Sequence, residues 1–77
     1  MISIPSAGVW TFFTTSDDGS LLYVNNVLVV NNDGGHGMQE RSGTATLSAD
    51  WYPFRVEFAE GGGGFGLIVS WQGPNMA

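Results

Sequence analysis

Two adjacent carboxylates, Asp17 and Asp18, have the clearest potential for chemistry in this sequence. Both belong to the segment Ser16-Asp17-Asp18-Gly19-Ser20, in which Asp-Gly predicts a turn. Carboxylate oxygens are preferred ligands of Ca²⁺, which takes about six to eight oxygens, so a shell that the protein leaves incomplete has room for the hydroxyl groups of a ligand. The alternative is a tight turn whose Asp side chains bond to the nearby main chain.

His36 is a second candidate, because imidazole titrates near neutrality and can bind a metal or act as a general base. It lies between Asp33 and Glu40 in a polar stretch. Nucleophilic catalysis also needs an activated nucleophile, and no serine stands in a Gly-x-Ser-x-Gly turn. We therefore expect His36 to be a loop residue bonded to the main chain or to Asp33, and we do not expect an enzyme.

The composition limits the class of partner. The 77-residue chain has two arginines, no lysine and a net charge of −5, which disfavours nucleic acids and anionic membrane surfaces because both are bound through basic side chains. Its longest aliphatic run, Val27 to Val30, is far shorter than the ~20 residues of a spanning helix. We expect neither a nucleic-acid partner nor membrane insertion. The start, Met1 to Pro5, also lacks the basic and apolar regions of a secretion signal.

The length predicts a single domain over residues 1–77. A chain this short buries little surface and usually needs disulfides, a metal or neighbouring chains. With no cysteine, the disulfides are excluded. A metal, oligomerisation or a further portion of the fold remain as sources of stability.

The elements that would position these residues are short strands. Twelve glycines and three prolines separate β-branched and aromatic runs, and no stretch keeps a helical apolar spacing. In the first long run, Val9 to Thr15, Trp10 and Phe12 share one face, and Phe13 lies on the other. The pattern predicts an all-β fold, either a sandwich or a barrel.

A hairpin and a long loop follow the first strand. Leu21 to Val24 and Val27 to Val30 are joined by Asn25-Asn26, a pair that suits a hairpin turn with positive φ. The polar stretch Asn31 to Gly43 then predicts a long loop before a short strand, Thr44 to Leu47.

Two further strands close the chain. Phe54 to Phe58 alternates, with Phe54, Val56 and Phe58 inward, and Leu67 to Trp71 ends before Gly73-Pro74. We assign Trp10 and Trp71 to the core, and expect one ring of Trp51-Tyr52 to be exposed. Ile68 and Phe13 on outward faces indicate extra burial against further strands or another subunit.

The order of these elements resembles a known family. The residues that carry the resemblance are Trp10-Thr11-Phe12, Ser16 to Ser20, Leu22 to Asn26, Leu28 to Val30, Gly43 to Leu47, Phe54 to Phe58, Glu60 with its glycines, and Leu67 to Pro74. From about Gly8 to Pro74 the chain is similar to the PA-fourteen domain, the β-sandwich of protective antigen, flocculins and adhesins. The resemblance implies an antiparallel β-sandwich of jelly-roll type. It covers only the C-terminal portion of that domain, so we expect a sandwich that is incomplete or completed by a neighbouring chain.

The resemblance implies a calcium-dependent sugar site. In lectin members the two aspartates form a cis-peptide pair on Ca²⁺ that binds sugar diols, which implies Asp17 and Asp18 as metal ligands. It places the second binding loop at Glu60 to Gly66, where a carboxamide ligand of the family is missing. Glycine carbonyls can approach a cation closely, and an aromatic ring can lie against a sugar. The ligand-binding candidates are therefore Glu60, Gly63, Gly64, Phe65 and Gly66. The alternative is a mobile hairpin loop with Phe65 anchored in the core.

Two classes of function remain open. The first is an extracellular or cell-surface module that binds a glycan with Ca²⁺ as cofactor. The second is a structural subunit that self-assembles through exposed strand edges into a homo-oligomer, fibre or filament. A surface fibre with a sugar site on each subunit would combine the two.

Overall fold

The computed structural model describes residues 1–59 and 66–74, and all regular structure there is β-strand. The strands are β1 (Ile2–Ile4), β2 (Gly8–Asp17), β3 (Ser20–Val24), β4 (Val27–Asn32), β5 (Gln39–Leu47), β6 (Asp50–Tyr52), β7 (Phe54–Phe58) and β8 (Gly66–Gln72). The described part of the chain contains no helix of the length and apolarity needed to cross a bilayer.

The strands form three antiparallel sheets that pack together. One three-stranded sheet has the order β5-β2-β8, a second has the order β4-β3-β7, and β1 pairs with β6. The core is contributed by both three-stranded sheets and by β1, through Ile2, Ile4, Trp10, Phe12, Leu22, Val24, Val30 and Leu47. This confirms the predicted antiparallel all-β sandwich.

The strand alternation is confirmed most clearly in β2. Trp10 and Phe12 are buried, and Thr14 and Ser16 continue the same buried face to the end of the strand. Phe13, on the opposite face, is half-buried. β2 is the central strand of its sheet, and its inner face is buried from Trp10 to Ser16.

The hairpin between β3 and β4 is also confirmed. Asn25 and Asn26 have φ angles of 54° and 62°, as expected for a two-residue turn that matches the twist of its strands. The pairing of β3 with β4 contains a register shift: Leu22 pairs with Val30, whereas Tyr23 pairs with Leu28. Val29 is thus the extra residue of a β-bulge.

The predicted long loop over residues 31–43 is wrong. β4 extends to Asn32 and β5 begins at Gln39, so only residues 33–38 join them. The polar start of β5 is a strand because β2 supplies its main-chain partners, with Ser16 opposite Gln39. Gly43 in this strand is required by packing, since a Cβ there would overlap the main-chain oxygen of Val29.

The assignment of Trp71 to the core is wrong in its degree of burial. Trp71 does lie on the inner face, with its ring 6.0 Å from that of Phe54, but 47% of it is exposed. The reason is that β7 and β8 each have a strand on one side only among the described residues. Phe58, the last residue of β7, was predicted to be inward and is also exposed. Trp51 is the exposed ring of the Trp51-Tyr52 pair, as predicted.

Candidate functional site

The Asp17–Asp18 pair lies where the chain passes from one sheet of the sandwich to the other. β2 ends at Asp17 and β3 begins at Ser20, and both carboxylate residues are half-buried. The peptide bond between them is cis, as the resemblance implied. Gly19 is buried against the 33–38 loop, because a Cβ there would lie 2.8 Å from the main-chain nitrogen of Gly34. The turn is therefore packed against that loop.

His36 connects this loop to the carboxylate pair. Its main-chain N–H donates to Oδ1 of Asp18 at 3.1 Å. Its ring nitrogens both face main-chain oxygens, Nε2 that of Asn32 at 3.0 Å and Nδ1 that of Gly37 at 2.8 Å. The prediction of a loop residue bonded to the main chain is confirmed, and the bonded partner is not Asp33.

The surroundings of His36 favour its protonated form. The bonds to the oxygens of Asn32 and Gly37 raise the pKa of the ring above its ordinary value, and the negative charges of Asp18 and Asp17 act in the same direction. Only the doubly protonated ring can donate to both oxygens at once. When the ring is protonated, its positive charge is therefore stabilised by the two carboxylates.

A buried hydroxyl cluster lies behind the turn, and the sequence did not predict it. Oγ of Ser16 and Oγ of Ser20 are 2.8 Å apart, and Ser20 donates to the hydroxyl of Thr14 at 3.0 Å. Asn32 donates to the main-chain oxygen of Gln39 at 2.7 Å and accepts from the Gln39 side chain at 3.2 Å. No buried side-chain polar atom in residues 1–59 and 66–74 lacks a hydrogen-bond partner. The alternation of β2 places Thr14 and Ser16 on the buried face, which is the pattern that could have predicted the cluster.

Of the predicted second binding loop, the structure places one residue. Gly66 is the first residue of β8 and lies opposite Asp17 in the pairing of β2 with β8. Glu60, Gly63, Gly64 and Phe65 lie outside the described residues. A Cβ at Gly66 would approach the sulfur of Met38 to 3.0 Å. Asp17, Asp18, Gly66 and the 33–38 loop are thus brought together at one end of the sandwich.

The donor set at this end fits a hard cation with an open shell. Asp17 and Asp18 supply carboxylate oxygens, and within the described ranges no group of three or more His, Cys, Asp or Glu side chains is placed to hold a metal. Further oxygens for Ca²⁺ would have to come from main-chain carbonyls, water or a ligand. Beside the turn lies an open groove of about 290 Å³, lined by Gly19, Ser20, Leu21, Asp33, Glu57, Phe58 and Ala59.

A comparison with protein families matches residues 1–77 to the PA14 domain. The match includes the residues before Gly8 and after Pro74. No curated protein and no solved structure matches the chain.

Proposed function

Because the chain belongs to the PA14 domain family, which includes carbohydrate-binding and adhesin modules, we propose that it binds glycan hydroxyl groups through Ca²⁺ at the Asp17–Asp18 turn. The observation that carries the proposal is the half-buried carboxylate pair, with Asp18 already bonded to the main chain of His36. PA14 domains occur typically in secreted and surface proteins. We accordingly propose an extracellular or cell-surface location and a glycan partner.

The proposed mechanism follows from the oxygen chemistry of the turn. Asp17 and Asp18 would hold Ca²⁺, and bound Ca²⁺ would supply positions for two neighbouring hydroxyl groups of a sugar. Gly66 lies opposite Asp17, close enough along the strand pair for this end of β8 to form one wall of the site. Glu60, Gly63, Gly64 and Phe65 remain predicted ligand contacts.

Calcium binding to charge-matched variants tests this proposal. Asp17→Asn and Asp18→Asn each remove one negative charge at the turn. Asp50→Asn removes one in β6, where Asp50 bonds to the main chain of Trp51. We expect Ca²⁺ at 100 times its Kd to stabilise the wild type and Asp50→Asn by about 2.7 kcal/mol. We expect the two turn variants to lose at least about tenfold in Ca²⁺ affinity, measured by calorimetry.

A glycan array with Ca²⁺ and with chelator completes the test. Glycan binding that disappears with chelator and with Asp17→Asn supports the proposal. A wild type that Ca²⁺ does not stabilise, or an Asp50→Asn variant that loses affinity as much as Asp17→Asn does, would contradict it.

A specific observation favours a second candidate function, self-assembly through β8. Among the described residues, β8 pairs with β2 on one side and with no strand on the other. Its seven residues, Gly66–Gln72, include no charge and no proline, and Ile68 is 58% exposed. An uncharged outer strand with exposed apolar side chains is a template for pairing with another chain. We propose that two copies pair through this edge.

Light scattering after size-exclusion chromatography tests self-assembly. Ile68→Lys puts a charge on β8, and Val9→Lys puts one on an exposed position of β2 in the same sheet. Assembly that Ile68→Lys abolishes and Val9→Lys preserves supports pairing through β8. A wild-type monomer at all concentrations, with and without Ca²⁺, would rule it out.

A further inference from the structure

The 33–38 loop carries a main-chain N–H, that of His36, which donates to the Asp18 carboxylate. Three of its six residues are glycine, and Gly34 has a φ angle of 111°. A main chain this rich in glycine loses much conformational entropy when it is fixed in one shape. Some other interaction must therefore hold the loop if its N–H is to stay directed at Asp18.

The His36 side chain supplies that interaction. Its ring nitrogens bond to the main chain at two points, Asn32 before the loop and Gly37 within it. Asn32 and Gly37 stand on either side of His36 in the chain, so the two bonds enclose the residue whose N–H contacts Asp18. The His36 ring therefore links the loop to Asn32, the last residue of β4.

Asn32 in turn is held rigidly by the core. It is almost completely buried, and its side-chain nitrogen lies 3.3 Å from both the hydroxyl and the main-chain oxygen of Thr14. The main chain of Gln39, at the other end of the loop, accepts from the same nitrogen at 2.7 Å. Asn32 thus fixes both the beginning of the loop and the strand that follows it.

We propose that Asn32 and His36 are positioning residues of the metal site, which orient the Asp18 carboxylate through the ring of His36 and its main-chain N–H. The inference rests on the proposed calcium site and names the residues that set its geometry. The connection runs from the buried hydroxyl cluster to Asn32, from the oxygen of Asn32 to Nε2 of His36, and from the N–H of His36 to Asp18. Partners of this kind commonly tune a metal site because they restrict how its ligands turn.

A pair of uncharged variants separates the ring's hydrogen bond from its charge. His36→Gln keeps an N–H donor near the position of Nε2, whereas His36→Leu has a similar size and no donor. His36→Asn provides a second variant that lacks the bond to the Asn32 oxygen. Its shorter amide reaches the position of Nδ1, which faces Gly37, but not that of Nε2. His36 is partly exposed, so the fold is expected to tolerate all three, and thermal unfolding checks this.

Two measurements are made on each variant, Ca²⁺ affinity by calorimetry and hydrogen exchange of the residue-36 amide without Ca²⁺. We expect His36→Leu and His36→Asn to bind Ca²⁺ about tenfold more weakly than His36→Gln. We also expect their residue-36 amide to exchange about tenfold faster, because its hydrogen bond to Asp18 is lost.

The outcomes distinguish this inference from the proposed function. Equal amide exchange in the three variants would overturn the inference, whatever their Ca²⁺ affinity, because the ring would then not hold the N–H. If the wild type binds no Ca²⁺, the proposed function fails, and amide exchange alone decides whether the bond from the His36 ring to Asn32 positions the N–H that contacts Asp18. Faster exchange in the two variants without the bond, accompanied by unchanged Ca²⁺ affinity, would show that the orientation of Asp18 does not govern the site.

Discussion

The inner face of β2 has two halves that are equally buried and chemically different. Trp10 and Phe12 form an apolar half within the core cluster, whereas Thr14 and Ser16 form a polar half that reaches the Asp17–Asp18 turn. Apolar contacts are non-directional, while hydrogen bonds fix distance and angle. The difference teaches that one strand provides stability at one end and a defined geometry at the other, next to the candidate metal ligands.

The polar half is not a defect in the core, because its hydroxyls bond to one another and to Asn32. A buried polar group without a partner would cost about 1–3 kcal/mol. The cluster meets this requirement with residues from β2, β3 and β4, so it also fixes three strands relative to one another. The variants below change the two halves separately.

The largest effect is expected in the apolar half. Phe12→Ala removes a fully buried ring that packs against Phe54 at 6.4 Å, and should lower the free energy of unfolding by about 3–5 kcal/mol. Urea unfolding measures the loss. Phe13→Ala, on the opposite and half-buried face of the same strand, is the matched control and should lose less. Equal losses would contradict the assignment of the two faces.

Asn32→Leu tests the residue of β4 to which the polar half bonds. The variant keeps the number and branching of side-chain heavy atoms but leaves the main-chain oxygens of Thr14 and Gln39 without their side-chain donor. We expect the free energy of unfolding to fall by about 1–3 kcal/mol, measured by urea unfolding. Asn31→Leu is the control, because Asn31 is exposed and its side chain accepts from the main-chain N–H of Asp33. If Asn31→Leu lowers the free energy of unfolding as much as Asn32→Leu does, the buried Asn32 has no special role in stability.

Thr14→Val tests a single hydroxyl of the cluster. Its Oγ1 accepts hydrogen bonds from Ser20 and Asn32, so we expect a loss of about 1 kcal/mol on urea unfolding. Thr11→Val, on the outer face of β2, should change stability by no more than about 0.5 kcal/mol. The effect of Thr14→Val should also shrink in an Asn32→Leu background, because the two residues share a bond. Full additivity would mean that the cluster does not act as one network.

Local patterns in the sequence predicted a large part of this fold. The alternation of Trp10 and Phe12 and the turn at Asn25-Asn26 depend on neighbouring residues, and both are confirmed. The extent of β5 and the exposure of Trp71 depend on strands far away in the chain, and both were predicted wrongly. A polar segment becomes a strand when a distant strand supplies its hydrogen bonds, which alternation cannot indicate.

The candidate site also combines features that neighbouring residues predict with features that depend on distant strands. Asp17 and Asp18 were predicted from two adjacent residues and a turn, and the structure brings Gly66 opposite Asp17. The role of Asn32 could not be predicted, because its bonds to Thr14 and Ser16 join residues that are 18 and 16 positions apart. In the sequence, Asn32 followed by Asp-Gly-Gly looks like part of a polar loop, and only the packing of β4 against β2 shows that it is buried.

The smallest effect is a pH dependence due to His36, which lies beside the polar half, in the absence of Ca²⁺. Bonds to the oxygens of Asn32 and Gly37 raise the pKa of His36 in the folded chain, with the charges of Asp18 and Asp17 as further causes. The stabilisation due to the protonated ring is thus complete below the unfolded pKa of about 6.5, and it is lost as pH rises through the higher folded pKa. The stability of the wild type relative to His36→Gln should therefore fall across that window in urea unfolding, while the effect of Phe12→Ala stays constant because it changes no ionisable group. A difference between wild type and His36→Gln that stays flat, or that grows with pH, would mean that the ring's bonds do not favour its charged form.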